Sequence, residues 1–249
     1  MQVAGAEKLL ELQIDSKAFC SGAGASIHVL SDIALQLAAG SCVSLFGPSG
    51  CGKTSILRIA AGLDRDFEGK RWVAPSARLG MVFQEPRLLP WRTVEDNIRI
   101  VLEASDTVGD ASEWLQRLDL VAQRRQFAGE LSLGQARRVA MARALSIAPN
   151  LLLLDEPMAS LDAEAAERLC DQLRGVIERD KVGVFLVTHN LDEAMRLSDR
   201  LVVLGGDTTS VLLEQKIAVP RARRDGATIS GLVAELAERT AKARTRLPV

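Results

Sequence analysis

The sequence predicts an α/β fold with a mainly parallel sheet, and two observations carry that prediction. Residues 41–46, 151–154, 184–188 and 201–204 are short, almost continuously apolar runs rich in Val, Leu and Phe, as in strands covered on both faces. Helical patterns at residues 54–61, 163–178 and 191–197 alternate with them, which is the arrangement of parallel βαβ units.

The elements in between follow the same logic. From residue 84 to residue 150 the strand signal gives way to helical patterns at 93–104, 111–118 and 133–148, so a helical unit is inserted into the α/β core. The predicted division is a first part of the core at 1–84, with a glycine-rich loop at 47–54. A helical subdomain at 85–150, a second part of the core at 151–220 and a C-terminal helical tail at 221–249 complete it. In the tail, Arg221, Arg223 and Arg224 precede Ile229, Leu232, Val233 and Leu236, whose spacing puts four apolar side chains on one helical face. Packing of that face on the core is favoured over a helix lying on a membrane surface.

Composition excludes several classes. With 249 residues, 47% hydrophobic and 25% charged, the chain falls in the globular range, and no repeat or low-complexity segment suggests an array. A formal net charge of −1 gives no overall attraction to a phosphate backbone, so nucleic acid is disfavoured as a partner. The longest apolar runs fall well short of the ~20 residues that span a bilayer. Residues 1–11 lack the features of a secretory signal, so a cytoplasmic location is expected. Cys20, Cys42, Cys51 and Cys170 show no C-x-x-C spacing and read as reduced thiols. His28 and His189 are the only histidines, and neither has a partner at zinc-ligand spacing.

The chemistry concentrates in a few segments. Gly47-Pro48-Ser49-Gly50-Cys51-Gly52-Lys53-Thr54 fits G-x-x-x-x-G-K-[ST], follows an apolar strand and opens a helix. In that context the loop's backbone N–H groups cradle phosphates, Lys53 reaches the β and γ phosphates, and the Thr54 hydroxyl can hold Mg²⁺. A nucleoside triphosphate is therefore the predicted ligand. Asp155 and Glu156 end the strand at 151–154, where Asp155 suits the metal and Glu156 can orient or deprotonate an attacking water. Ser132 is a good N-cap for the helix at 133–148, and a capped helix start also attracts anions. His189 follows the strand at 184–188, on the side of the sheet where α/β ligands bind.

In this order the segments resemble the ATPase subunit of an ATP-binding cassette transporter, over nearly the whole chain. The resemblance is carried by residues 47–54, Gln84 after Met81-Val82-Phe83, Leu131–Gln135, Asp155-Glu156, Ser160-Leu161-Asp162 and His189. It implies a P-loop core with an N-terminal antiparallel β subdomain and an inserted helical subdomain. It further implies that ATP is held by residues 47–54 with Ser55, and that Mg²⁺ is held by Thr54, Gln84 and Asp155. Catalysis would fall to Glu156, His189, Gln84 and Lys53. Ser132, Gly134 and Gln135 would complete the site of a second copy, Asp162 would couple the two sites, and Phe19 would stack on adenine. Two departures stand out: the family's usual stacking tyrosine is missing, since the chain has no tyrosine and carries extra residues at 21–25, and Leu133 replaces a customary glycine.

The stretch from Gln84 to Val94, followed by Glu95-Asp96-Asn97, resembles the nitrate, sulfonate and taurine import branch. That resemblance implies transmembrane permease subunits, a periplasmic solute-binding protein and a peripheral position on the cytoplasmic face of the membrane. Leu88, Leu89 and Trp91 are candidate permease contacts, or anchors of their own loop. The short stretch after the core in this sequence leads to the expectation that no large regulatory domain follows it. An exporter ATPase, a soluble cassette ATPase and a P-loop small-molecule kinase remain as alternatives. The last of these has no use for Leu131–Gln135.

Overall fold

The computed structural model describes residues 6–20, 26–105, 111–159 and 161–244; the extra residues at 21–25 and Ser160 lie outside them. Two sheets make the frame. Strands β1 (Lys8–Cys20), β2 (Ser26–Ala38) and β4 (Glu68–Val73) form an antiparallel sheet in the order β2-β1-β4. The larger sheet has the order β5-β6-β7-β3-β8-β9, built from β3 (Cys42–Phe46), β5 (Leu79–Val82), β6 (Leu151–Asp155), β7 (Gly183–Thr188), β8 (Arg200–Gly205) and β9 (Ser210–Lys216). Its first five strands are mutually parallel, and only β9 runs antiparallel, against β8.

The burial pattern explains why the central strands lack alternation. In β6, Leu152 and Leu154 point into a cluster with Val184 and Leu186, while Leu151 and Leu153 point into the opposite cluster with Phe185 and Val187. Each side chain removed from water contributes about 1.5–3 kcal/mol, so both faces must be apolar. The antiparallel sheet has one wet face instead. Leu10, Leu12 and Ile14 of β1 and Ile33, Leu35 and Leu37 of β2 are buried, whereas Gln13, Asp15, Ala34 and Gln36 between them are exposed.

Helices α1 (Lys53–Ala61), α5 (Ala163–Arg179) and α6 (Leu191–Leu197) cover the parallel sheet, and α2 (Val94–Ala104), α3 (Ala111–Arg117) and α4 (Leu133–Ser146) make the helical insertion. Their starts are chemically fixed. Thr93 and Asp96 form a capping box on α2, and Ser132 and Gln135 form one on α4, so each satisfies N–H groups the first turn leaves free. Helix α4 stops at Ser146, earlier than its periodicity suggests, because Ala148 takes a left-handed backbone with φ 47° and Pro149 follows.

The final helix, α7 (Gly226–Arg244), lays Ile229 and Leu236 against Ala194, Met195, Leu201 and Val203, with Leu232 and Val233 partly covered. Buried Arg224 locks its approach by donating to the carbonyls of Met195 at 2.8 Å and Ser198 at 2.7 Å, at the end of α6. Among the described residues no helix is long and apolar enough to cross a membrane.

Candidate functional site

Strand register creates the site. Asp155 of β6 lies opposite Val187 of β7, Thr188 opposite Phe46 of β3, and Leu154 opposite Val82 of β5. Four parallel strands therefore leave the sheet at one edge, and the residues that follow them are Gln84, Glu156, His189 and Gly47. Ligands of open α/β sheets bind at this carboxyl edge.

The glycine-rich loop leads from β3 into α1. Gly52 is the N-cap of α1 with φ 86°, a conformation that turns the chain into the helix without a side-chain cap. The first N–H groups of α1 consequently have no intrahelical partner and face the loop. Lys53 is buried, and its ammonium donates to the carbonyls of Gly47 at 2.8 Å and Pro48 at 2.7 Å, which holds a positive charge at the centre of the turn. Ser49, Gly50 and Thr54 are exposed, and Cys51 and Ser55 are half-buried. Loop, helix start and ammonium together suit a polyphosphate.

The carboxylates sit beside this loop. Asp155 is buried, and the Thr54 hydroxyl donates to its Oδ1 at 3.3 Å. Burial pushes the Asp155 carboxyl above its ordinary value, with Glu156 adding to the rise, while Thr54 and Lys53 oppose it. A buried carboxylate paired with a hydroxyl offers the hard oxygen donors that Mg²⁺ prefers. No group of three His, Cys, Asp or Glu side chains able to hold a metal occurs among the described residues. A cation here would draw its remaining ligands from phosphate and water, as Mg²⁺ commonly does.

Glu156 adopts φ 48°, and its N–H donates to the Val187 carbonyl at 2.8 Å, so the chain turns sharply just past the strand. That turn swings Glu156 toward His189, whose Nδ1 lies 3.1 Å from Glu156 Oε1. The Glu156 side chain is 16% exposed and that of His189 57% exposed. So open a contact contributes little to stability, and its weight is geometric. It aims an imidazole and a carboxylate at the same edge as the loop.

Gln84 shares this edge, and the remaining predicted residues belong to other elements. Gln84 is exposed two residues past β5, and its carbonyl is 3.5 Å from Arg137 Nη2. Ser132, Gly134 and Gln135 occupy the start of α4, which packs against α2, α3 and β5. The Ser132 hydroxyl is taken by the Gln135 N–H within its own turn. Asp162 is exposed and caps α5 by accepting the Ala165 N–H at 2.8 Å. Phe19, on β1, is 45% exposed with the Lys17 ammonium 4.8 Å above its ring. Leu88 packs on the core cluster and Leu89 is bracketed by Asn97, whereas Trp91 is 69% exposed. Sequence reasoning passed over Thr188 and Glu193, whose side chains bond at 2.7 Å behind His189. It also passed over Arg143, which donates to the carbonyls of Pro86 and Arg87 at 2.9 Å each and so holds the loop after Gln84. An acidic residue four places after a loop histidine was the only available hint of the first, and nothing marked the second.

Comparison with known proteins agrees with this geometry. A family model described as ABC transporter matches residues 30–159. The aliphatic sulfonates import ATP-binding protein SsuB 2 of Burkholderia cenocepacia (strain HI2424) is 43% identical, over 88% of this chain and 83% of that protein. Its counterpart SsuB in Bacillus anthracis is 41% identical, over 83% of this chain and 86% of its own. Among solved structures, the dimeric structure of MJ0796, a bacterial ABC transporter cassette, aligns with a TM-score of 0.77 at 29% identity, covering 85% of this chain and 100% of that one. A post-hydrolysis state of the same cassette, bound to ADP and Pi, aligns equally well, with a TM-score of 0.77. The fold, the carboxyl-edge site and these relatives together place the chain in the ABC transporter family, as an ATP-binding, ATP-hydrolysing subunit.

Proposed function

We propose that this chain powers import of an aliphatic sulfonate or a similar small anionic solute through a bacterial membrane transporter. The observation that carries the energising role is the convergence of Glu156 and His189, 3.1 Å apart, on the edge shared with the phosphate loop and Asp155. The solute class is supported by the relatives' names and by the stretch from Gln84 to Val94.

Each residue has a role in this reading. Residues 47–55 hold the phosphates of ATP, with Lys53 on the β and γ groups and Phe19 against the base. Mg²⁺ held by Thr54, Gln84 and Asp155 would offset the charge that builds on the phosphate oxygens. Glu156 accepts a proton from the attacking water as its oxygen bonds the γ-phosphorus and the β–γ bridging P–O bond breaks. His189 donates to the γ-phosphate and stays aligned through Glu156. Ser132 is exposed and Gly134 and Gln135 half-buried at a capped helix start, which suits contact with the nucleotide of a second copy, and Asp162 links the two sites. Closing and reopening of that pair would move permease subunits through the region of Leu88, Leu89 and Trp91, with the chain peripheral on the cytoplasmic face and a periplasmic protein delivering solute.

The test is reconstitution in proteoliposomes with sulfonate permease subunits and a sulfonate-binding protein from the same source. Stimulation of ATP hydrolysis by alkanesulfonate, with uptake of the labelled solute, is the expected result. ATP hydrolysis that responds to no sulfonate, or solute movement in the outward direction, would overturn the assignment.

A further inference from the structure

We propose that Glu193 is a positioning residue for His189, fixing the loop that presents the imidazole to Glu156; this rests on the roles given to Glu156 and His189 above. The loop is short. His189 stands between the last residue of β7 and the N-cap of α6, and its own side chain is 57% exposed, so packing does not set its direction. Its neighbours do. The Thr188 hydroxyl donates to Glu193 Oε2 at 2.7 Å and accepts the Asn190 N–H at 2.9 Å. The Asn190 side chain in turn accepts the N–H groups of Asp192 at 2.9 Å and Glu193 at 3.4 Å.

A hydroxyl has one proton to give. With Glu193 as its acceptor, the Thr188 lone pairs face Asn190, and the residues on both sides of His189 are tied to α6. Helix capping alone accounts for Asn190 but does not require Glu193. A first-turn glutamate that served only the helix dipole would stand in water. Glu193 is instead half-buried, and burial pushes its carboxyl above the ordinary value. Thr188 is buried beneath it. The platform is rigid as well: Ala194, Met195 and Leu197 are buried, and Arg224 and Arg221 hold the far end of α6 through the carbonyls of Met195, Ser198 and Leu197.

The test is a variant series of the full chain, assayed for MgATP hydrolysis. Glu193→Ala should lower kcat about tenfold with KM for ATP within about twofold, since a displacement near 1 Å is enough for such a loss. Glu193→Gln, whose amide oxygen still accepts from Thr188, should retain most of kcat. Thr188→Val should follow Glu193→Ala and Thr188→Ser should not, which decides the matter even if Glu193→Ala fails to fold. Adding Glu193→Ala to His189→Ala should lower turnover no further. Wild-type kcat in Glu193→Ala, an equal loss in Glu193→Gln, or additive losses in the double variant would overturn the inference. Full turnover in His189→Ala would instead remove the reading on which it rests.

Discussion

Replacing Gly52 with alanine tests how tightly the phosphate loop is built into the core. The backbone at Gly52 has φ +86°, where an L-side chain costs about 1–2 kcal/mol. The new Cβ would also lie 2.6 Å from Leu30 Cδ2, and Leu30 is fully buried, so it has little room to retreat. Overpacking of that kind costs about 1–3 kcal/mol, for a sum of roughly 2–5 kcal/mol. For a chain of this size each kcal/mol lowers Tm by about 2–4 °C, so Gly52→Ala should melt about 4–20 °C below wild type. Gly50→Ala is the control, since φ is +81° but nothing lies within 4 Å of the added Cβ. It should lose only the backbone part, about 2–8 °C. Differential scanning calorimetry reads both, and Leu30→Ala combined with Gly52→Ala should melt higher than the separate losses add up to. Equal shifts in the two glycine variants would refute the Leu30 contact, and no shift in either would refute the strain argument as a whole.

Other outcomes follow from the same geometry. Asp155 is raised by burial, so ionising it opposes folding: its folded state favours the proton, and stability from this group is present at low pH and lost as pH rises through the folded value. Asp155→Asn should therefore raise Tm at neutral pH in the presence of EDTA, with the gain vanishing as pH falls below the usual carboxylate range, while MgATP hydrolysis is lost; a scanning-fluorimetry pH series checks it. Lys53→Ala removes a buried ammonium and should weaken ATP binding by about tenfold or more in calorimetric titration. Arg224→Leu strips donors from the carbonyls of Met195, Ser198 and Val219, and urea unfolding should show a loss of roughly 2–4 kcal/mol.

Legibility in the sequence followed burial. Strands β6 and β7 were readable because they are covered on both faces, which forces continuous runs such as Leu151 to Leu154. Strand β4 was not, because Glu68 to Trp72 are exposed, so its backbone pairing to β1 and its polar contacts with Ser16 and the Ala60 carbonyl leave no apolar pattern in the sequence. Strand β5, four residues long with Gly80 inside it, is too short for periodicity to register. The phosphate loop was readable because its backbone demands glycine at fixed places. The turn that brings Glu156 to His189 was not: a glutamate at φ 48° follows from the register of β6 against β7, and no local preference announces it. Glu193 looked like an ordinary first-turn acid, and only the fold reveals that it faces inward.

The central claim is that Glu156 drives hydrolysis in a site completed by Ser132 and Gly134 of a second copy, and sedimentation of Glu156→Gln with MgATP tests it most directly. That variant should bind ATP, release almost no phosphate and sediment as a two-copy species, and adding Ser132→Arg should return it to one copy. A Glu156→Gln protein that turns over ATP normally, or that stays a single copy while saturated with ATP, would contradict the claim.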